Sequence, residues 1–238
     1  MARILAPAQC FFCVLVIRNL IPGDGTVQSG LSRQALPGTL SYLAIKLWAG
    51  SALDRRCDPN RITLAEQKMD LKNWIREIPD YPKPGILFRD LTPLWKSPEA
   101  FNYTIDCFAE KYLGAPIDAV AGIESRGFMF GVPLALRLGL PFIPLRKENK
   151  LPPEVVGVDF ELEYGTGRME MRVDAVVQGD SVLVVDDLLA TGGTAEAAAK
   201  LIQGIGGQVL AMAFVVELAT LNGRDALKGH EIYSLVTY

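Results

Sequence analysis

The sequence predicts an α/β fold built on a central, mostly parallel β-sheet flanked by helices. Three stretches carry that expectation. Val182-Leu183-Val184-Val185 is a run of four apolar residues, three of them β-branched, as found in strands buried on both faces of a parallel sheet. It leads into Asp186-Asp187, then Ala190-Thr191-Gly192-Gly193-Thr194, then an Ala-rich stretch over 195–205 with good helix propensity. Residues 118–138 repeat that order, with an apolar strand over 118–123, the loop Glu124-Ser125-Arg126-Gly127-Phe128, and a helix over 130–138. Residues 140–145 and 208–216 are further buried strands, and 232–236 a last short one. Ligands of open α/β sheets bind beyond the carboxyl ends of the strands, so the loops after 185 and 123 are the candidate site.

The chemistry of the first loop is specific. A helix N-terminus preceded by small residues offers free backbone N–H groups and a positive dipole end to a phosphate. Two aspartates beside an anion site would repel the anion unless they serve another purpose, such as hydrogen bonding to sugar hydroxyls or holding Mg2+ through water. The pattern therefore points to a sugar phosphate with a cation. No Gly-Lys-Ser/Thr follows the glycines, which excludes a Walker A loop, and Gly-x-Gly-x-x-Gly is absent as well.

Composition narrows the remaining classes. A chain of 238 residues makes one large or two small domains, and half its residues are hydrophobic, enough for a full core. A net charge of −3 and a pI near 5.3 carry no electrostatic footprint for nucleic acid. Charge is uneven, since residues 1–68 hold eight basic against four acidic residues. That shift sets a boundary between an extension over 1–68 and a domain over 69–238. The apolar stretch 4–17 is too short to span a bilayer, and no membrane association is expected. The extension fits three readings: an organelle transit peptide, a disordered tail, or a non-native stretch ahead of a start at Met69. Cys10, Cys13, Cys57 and Cys107 read as inert thiols of a reducing compartment, because the Cys10-x-x-Cys13 spacing has no second pair or nearby His. The lone histidine, His230, excludes His-based nucleophilic triads.

From Met69 onward the chain reads in order. Residues 70–78 predict a short amphipathic helix, with Leu71, Trp74, Ile75 and Ile78 on one side. Asp80-Tyr81-Pro82-Lys83-Pro84-Gly85 is a rigid turn, followed by the extended stretch Ile86-Leu87-Phe88-Arg89-Asp90. Residues 98–112 are helical, with Phe101, Ile105, Phe108 and Tyr112 in apolar spacing. The charge-rich region 146–167, between strands and containing Pro152-Pro153, reads as a lid over the site.

The stretch 182–194 resembles the 5-phosphoribosyl-1-pyrophosphate (PRPP) signature of type I phosphoribosyltransferases. Together with 80–93 and Leu162-Glu163-Tyr164-Gly165, the resemblance narrows to the adenine phosphoribosyltransferase family and covers about 69–238. It implies that family's fold, with a small hood and a mobile lid loop beside the sheet. The reaction it implies is purine salvage, in which adenine and PRPP give AMP and pyrophosphate. By resemblance, Asp186, Asp187, Ala190, Thr191, Gly192, Gly193 and Thr194 bind PRPP or AMP, and Glu124, Ser125, Arg126 and Gly127 form the pyrophosphate loop. Leu87, Phe88 and Arg89 hold adenine. The catalytic group is Glu163, Arg126, Arg146 and Lys150, with Glu163 as acid/base at the purine. The implied cofactor is Mg2+ held by PRPP with no direct protein ligand, and the implied assembly a homodimer. The location is cytoplasmic, or organellar if 1–68 is a transit peptide. The sequence leaves two alternatives: another acceptor (hypoxanthine, xanthine or orotate), or a non-catalytic PRPP-binding regulator. Glu148-Asn149 departs from the pattern, where the family more often has Gly ahead of the Lys.

Overall fold

The computed structural model describes residues 68–162 and 165–238. The extension read at the start of the chain, with Cys10, Cys13 and Cys57, lies outside the described residues up to 67, and so does Glu163. Nine strands are described: β1 (Arg76–Pro79), β2 (Leu87–Asp90), β3 (Ala119–Ile123), β4 (Phe142–Lys147), β5 (Val155–Leu162), β6 (Gly165–Arg172), β7 (Ser181–Leu189), β8 (Gln208–Glu217) and β9 (Glu231–Thr237). Four α-helices are α1 (Thr92–Lys96), α2 (Pro98–Tyr112), α3 (Arg126–Leu138) and α4 (Gly193–Gly204).

Seven strands form one sheet in the order β5-β6-β4-β3-β7-β8-β9. The run from β4 to β9 is parallel, while β6 joins β4 and β5 in antiparallel register. This is the expected α/β architecture. Its centre is buried on both sides, which the alternation of strand side chains makes possible. Leu183 and Val185 of β7 pack with α2 and α3, among Phe108, Phe130 and Leu134. Val182 and Val184 face the other way, toward Ala198, Leu201 and Ile202 of α4 and Met169 and Met171 of β6. Small residues let α3 lie close to the sheet: a Cβ on Gly122 or Gly131 would meet the Phe142 ring at 2.8 Å.

Boundaries shift where tertiary pairing outweighs local pattern. Residues 70–78 are not one helix. Asp70 accepts the Lys72 N–H at 3.1 Å and starts a single 3-10 turn, Leu71–Trp74, after which Ile75 is extended. The following residues pair with β2, placing Ile78 opposite Phe88 and Glu77 opposite Arg89. Leu71 and Ile75 still reach the core. The β1–β2 ribbon stands apart from the main sheet as the hood. The strand carrying the acidic pair continues through both aspartates to Leu189, because β8 supplies partners as far as Glu217. Helix α3 begins at Arg126, four residues earlier than its apolar spacing indicated, and α4 begins at Gly193. Helix α2 keeps its expected span; Ser97 caps it by accepting the Ala100 N–H at 3.2 Å, and Pro98 occupies the first turn. The lid region is a hairpin whose strands β5 and β6 extend the sheet.

One close approach sets the site. A Cβ on Gly127 would lie 2.6 Å from the Val185 carbonyl oxygen and 3.0 Å from Asp186 Oδ1. Gly127→Ala is expected to destabilise the fold by about 1–3 kcal/mol, since a backbone carbonyl cannot swing aside. Thermal unfolding of the variant against the parent checks this; an unchanged midpoint would contradict it.

Candidate active site

The carboxyl ends of β3, β4 and β7 converge on one cavity of about 550 Å³, within the range of small-ligand pockets. Glu124, Ser125, Arg126, Arg146, Lys150, Asp186, Asp187 and Thr194 all line it. Ala190, Thr191, Gly192, Gly193 and Thr194 line an adjoining cavity of about 200 Å³, together with Arg126, Asp186 and Asp187. Gly127 lies beneath, at the start of α3.

The smaller cavity has the backbone geometry that an anion site needs. Gly192 has φ +89 and serves as N-cap of α4 without any side-chain cap, and the Glu196 N–H bonds back to the Gly192 carbonyl at 2.9 Å. The amides of Gly193, Thr194 and Ala195 precede that first intrahelical bond and are left for a ligand. The loop is held from behind: a Cβ on Gly192 would collide with the Gly223 carbonyl, and one on Gly223 with the Ala190 carbonyl. Arg224, next in the chain, donates from Nε and Nη2 to the buried Glu217 carboxylate at 2.6 and 2.7 Å. These bonds hold the Glu217 carboxyl below the usual range against the opposing effect of burial.

The acidic pair sits beside this loop. Asp187 is buried and its Oδ2 pairs with Arg126 Nε at 2.9 Å. Asp186 accepts the Asp187 N–H at 2.8 Å. Burial, then the neighbouring Asp187 charge, pushes the Asp186 carboxyl well above the usual carboxylate range. Burial also raises Asp187, with the Arg126 guanidinium opposing it.

The second loop has its own clamp. Arg146 donates from Nε and Nη2 to the two Glu124 oxygens at 3.2 Å each, and from Nη1 to the Lys150 carbonyl at 2.8 Å. The Lys147 N–H adds a bond to Glu124 at 2.9 Å. Burial raises the Glu124 carboxyl, but Arg146 and the Lys147 amide outweigh it and hold it below its ordinary value. Glu124 thus aims a cation at the cavity. Asn149 has φ +62, a left-handed conformation that Gly adopts freely and Asn tolerates. Its N–H bonds to the buried Glu170 at 3.0 Å. The departure from Gly at this turn therefore keeps the turn's geometry.

The hood approaches from the side. Phe88 lies on β2, with its ring 5.8 Å from Arg126 Cζ and edge-on to Tyr81 at 5.2 Å. Leu87 is exposed. The Arg89 side chain ion-pairs with Glu77 and stacks on Tyr238, 3.6 Å from the ring centroid. None of Leu87, Phe88 and Arg89 lines either cavity. Glu163 is outside the described residues; Phe160 and Thr166, three positions to either side, line the larger cavity.

Sequence reading missed the contribution of β6. Arg168 lines the cavity, pairs with Asp159 at 2.8 Å and approaches Glu170 at 3.6 Å. The signal was the alternation of Arg168, Glu170 and Arg172 with Met169 and Met171, a period-2 strand pattern inside a charge-rich stretch. Among the described residues no group of three or more His, Cys, Asp or Glu side chains could hold a metal ion, and no helix is long and apolar enough to cross a membrane.

Paired carboxylates, an open helix N-terminus and two guanidinium groups around two adjoining cavities suit a sugar-phosphate-transferring class, and residues 102–234 match the phosphoribosyl transferase domain. The adenine phosphoribosyltransferase of Thermosynechococcus vestitus is 58% identical over 170 residues, covering 71% of this chain and 100% of that protein. The adenine phosphoribosyltransferase of Thermoanaerobacter pseudethanolicus, a solved structure, superposes with a TM-score of 0.69 at 50% identity, covering 71% of this chain and 98% of that one. The Saccharomyces cerevisiae enzyme, solved with adenine and an imino-altritol bisphosphate, gives 0.66 at 40% identity, covering 69% and 96%. The chain belongs to the adenine phosphoribosyltransferase family.

The raised carboxyls set a pH dependence. Folded Asp186 and Asp187 bind protons more tightly than the carboxyls of the unfolded chain, which titrate near about 4. Stability therefore falls as pH rises from that range through their folded values, and is level above them. Asp186→Asn is expected to raise the unfolding midpoint at pH 7 by about 2–4 °C, the shift for about 1 kcal/mol in a domain of this size. The gain should vanish in acid. Calorimetry at several pH values checks it, and a variant less stable than the parent at pH 7 would refute it.

Proposed function

We propose that the two cavities carry out phosphoribosyl transfer as one site, with PRPP across both and adenine under the hood. The reaction moves the 5-phosphoribosyl group of PRPP to adenine, giving AMP and pyrophosphate in purine salvage. The observation that carries this reading is the sharing of Arg126, Asp186, Asp187 and Thr194 by both cavities. An anion loop and a cation-lined chamber separated by paired carboxylates match a ligand with a phosphate at one end, a pyrophosphate at the other and a ribose between.

The roles follow from position. Amides and hydroxyls of Ala190 to Thr194 anchor the 5′-phosphate, and this remote binding energy holds ribose C1′ in line. Asp186 and Asp187 accept hydrogen bonds from the ribose hydroxyls and offset positive charge as the bond to pyrophosphate breaks. Arg126, Arg146 and Lys150 stabilise the departing pyrophosphate, with Arg126 turning from Asp187 to the ligand and Arg146 kept in aim by Glu124. Phe88 offers its face to the purine, and the edge of β2 not paired with β1 offers backbone groups to its rim. Glu163 relays protons there, and the β5–β6 hairpin excludes water from the reactive sugar. Bound with PRPP, Mg2+ would supply charge neutralisation at the pyrophosphate. The hard carboxylate oxygens of Asp186 and Asp187 suit that ion through water.

Residues 69–238 are the catalytic domain and 1–68 an extension. The enzyme works as a homodimer, for which Met129, Val132 and Leu136 supply an exposed apolar stripe along α3. It acts in the cytoplasm, or in an organelle where 1–68 serves as a transit peptide.

AMP formation from PRPP and Mg2+, with adenine compared against hypoxanthine, guanine and orotate, tests the reading. Adenine should be the strongly preferred acceptor, and Arg126→Ala should lower kcat/KM for PRPP by about 10²–10³-fold. PRPP binding without turnover on any base would defeat it.

A further inference from the structure

The hood strand that meets the base is itself weakly anchored. Among the described residues β2 pairs only with the four residues of β1, and an isolated two-stranded ribbon is marginal in water. Successive side chains of a strand point to opposite faces, so Arg89 lies behind the Phe88 ring. Arg89 is where the ribbon is fastened. Its side chain is only 11% exposed, unusual for a residue that normally stays in water. It ion-pairs with Glu77, its cross-strand partner. Its Cζ lies 3.6 Å from the Tyr238 ring centroid, while its Nε is buried without a hydrogen-bond partner. The guanidinium is thus committed to the ring face. Tyr238 is fixed to the main sheet in turn, its N–H donating to the Glu217 carbonyl and its carbonyl accepting the Ala219 N–H, both at 2.9 Å.

We infer that Tyr238 is a positioning residue for the purine. It touches no reacting group, and acts by clamping Arg89 so that Phe88 and the free edge of β2 stand at a fixed place beside Arg126. The inference depends on the proposed role of Phe88 at the base. Its consequence is one-sided. Loss of the ring lets the hood drift and weakens adenine binding, while the phosphate loop, Asp186 and Asp187 stay put and bind PRPP as before.

Steady-state kinetics on full-length Tyr238→Leu, Tyr238→Phe, Arg89→Met, Phe88→Ala and the Tyr238→Leu/Arg89→Met double variant test this. A desolvated cation–π contact corresponds to roughly 3- to 30-fold in affinity. Tyr238→Leu should raise KM for adenine by about that factor, with kcat and KM for PRPP within about twofold of the parent. Tyr238→Phe, which keeps the ring, should restore the adenine KM, and the double variant should be no worse than either single one. An unchanged adenine KM in Tyr238→Leu would overturn the inference, as would both KM values rising together, or Tyr238→Phe proving as damaging as Tyr238→Leu. Phe88→Ala separates the levels. If it leaves the adenine KM unmoved, the base-site reading falls and the clamp with it. If it raises KM while Tyr238→Leu does not, only the clamp falls.

Discussion

Asp186 and Asp187 stand side by side in β7 after a buried apolar run, and the Arg126 guanidinium reaches the second of them. Burying two like charges is unfavourable unless they are paired or protonated. Here Arg126 pairs with Asp187, while Asp186 is left to a backbone N–H and a raised proton affinity. Much of the architecture serves to bring that guanidinium there. Arg126 is the first residue of α3, and α3 can start so close to β7 only because Gly127 has no Cβ. The unfavourable electrostatics of the empty pair are of the kind that functional sites retain at the expense of stability.

The loop before α4 shows the complementary strategy, rigidity through backbone contact. Gly192 and Gly223 bring two backbones into direct contact, and the Arg224–Glu217 pair fixes the second loop to the end of β8. The N–H groups at the start of α4 are therefore held in a fixed direction by the surrounding backbone. The end of β8 also carries the backbone bonds that hold Tyr238 and, through its ring, the hood. One strand end buttresses both the loop before α4 and the β1–β2 ribbon.

The hairpin over the cavity joins the sheet through charged residues as well as apolar ones. Met169 and Met171 fill the space beside α4, while Glu170 is buried against the Asn149 amide with Arg168 nearby. Arg146, opposite Glu170 in register, is turned toward Glu124 by a two-pronged hydrogen bond. Charges that look like solvated surface in the sequence are arranged here as a lining.

The sequence by itself determined the sheet, its principal helices and the two strand–loop–helix units, because long apolar runs and helical spacing are set by what must be buried. It also placed the small-residue loop and the two adjacent carboxylates together at one strand end, since they follow one another in the chain. Tertiary structure decided what local pattern could not encode. Residues 70–78 have helical spacing, yet Ile78 and Glu77 lie in a strand because β2 offers partners 10 and 12 positions later. The strand at 182 runs on through its aspartates because β8 continues beside it. Arg126 looked like a loop residue until the close contact at Gly127 made it the start of a helix. Glu124 read as part of an anion loop, and only its approach to Arg146, 22 positions away, makes it the group that aims a cation. Arg168 and Tyr238 carried no motif at all: each acquires its place from a contact across the fold, where distance in the chain carries no information about distance in space.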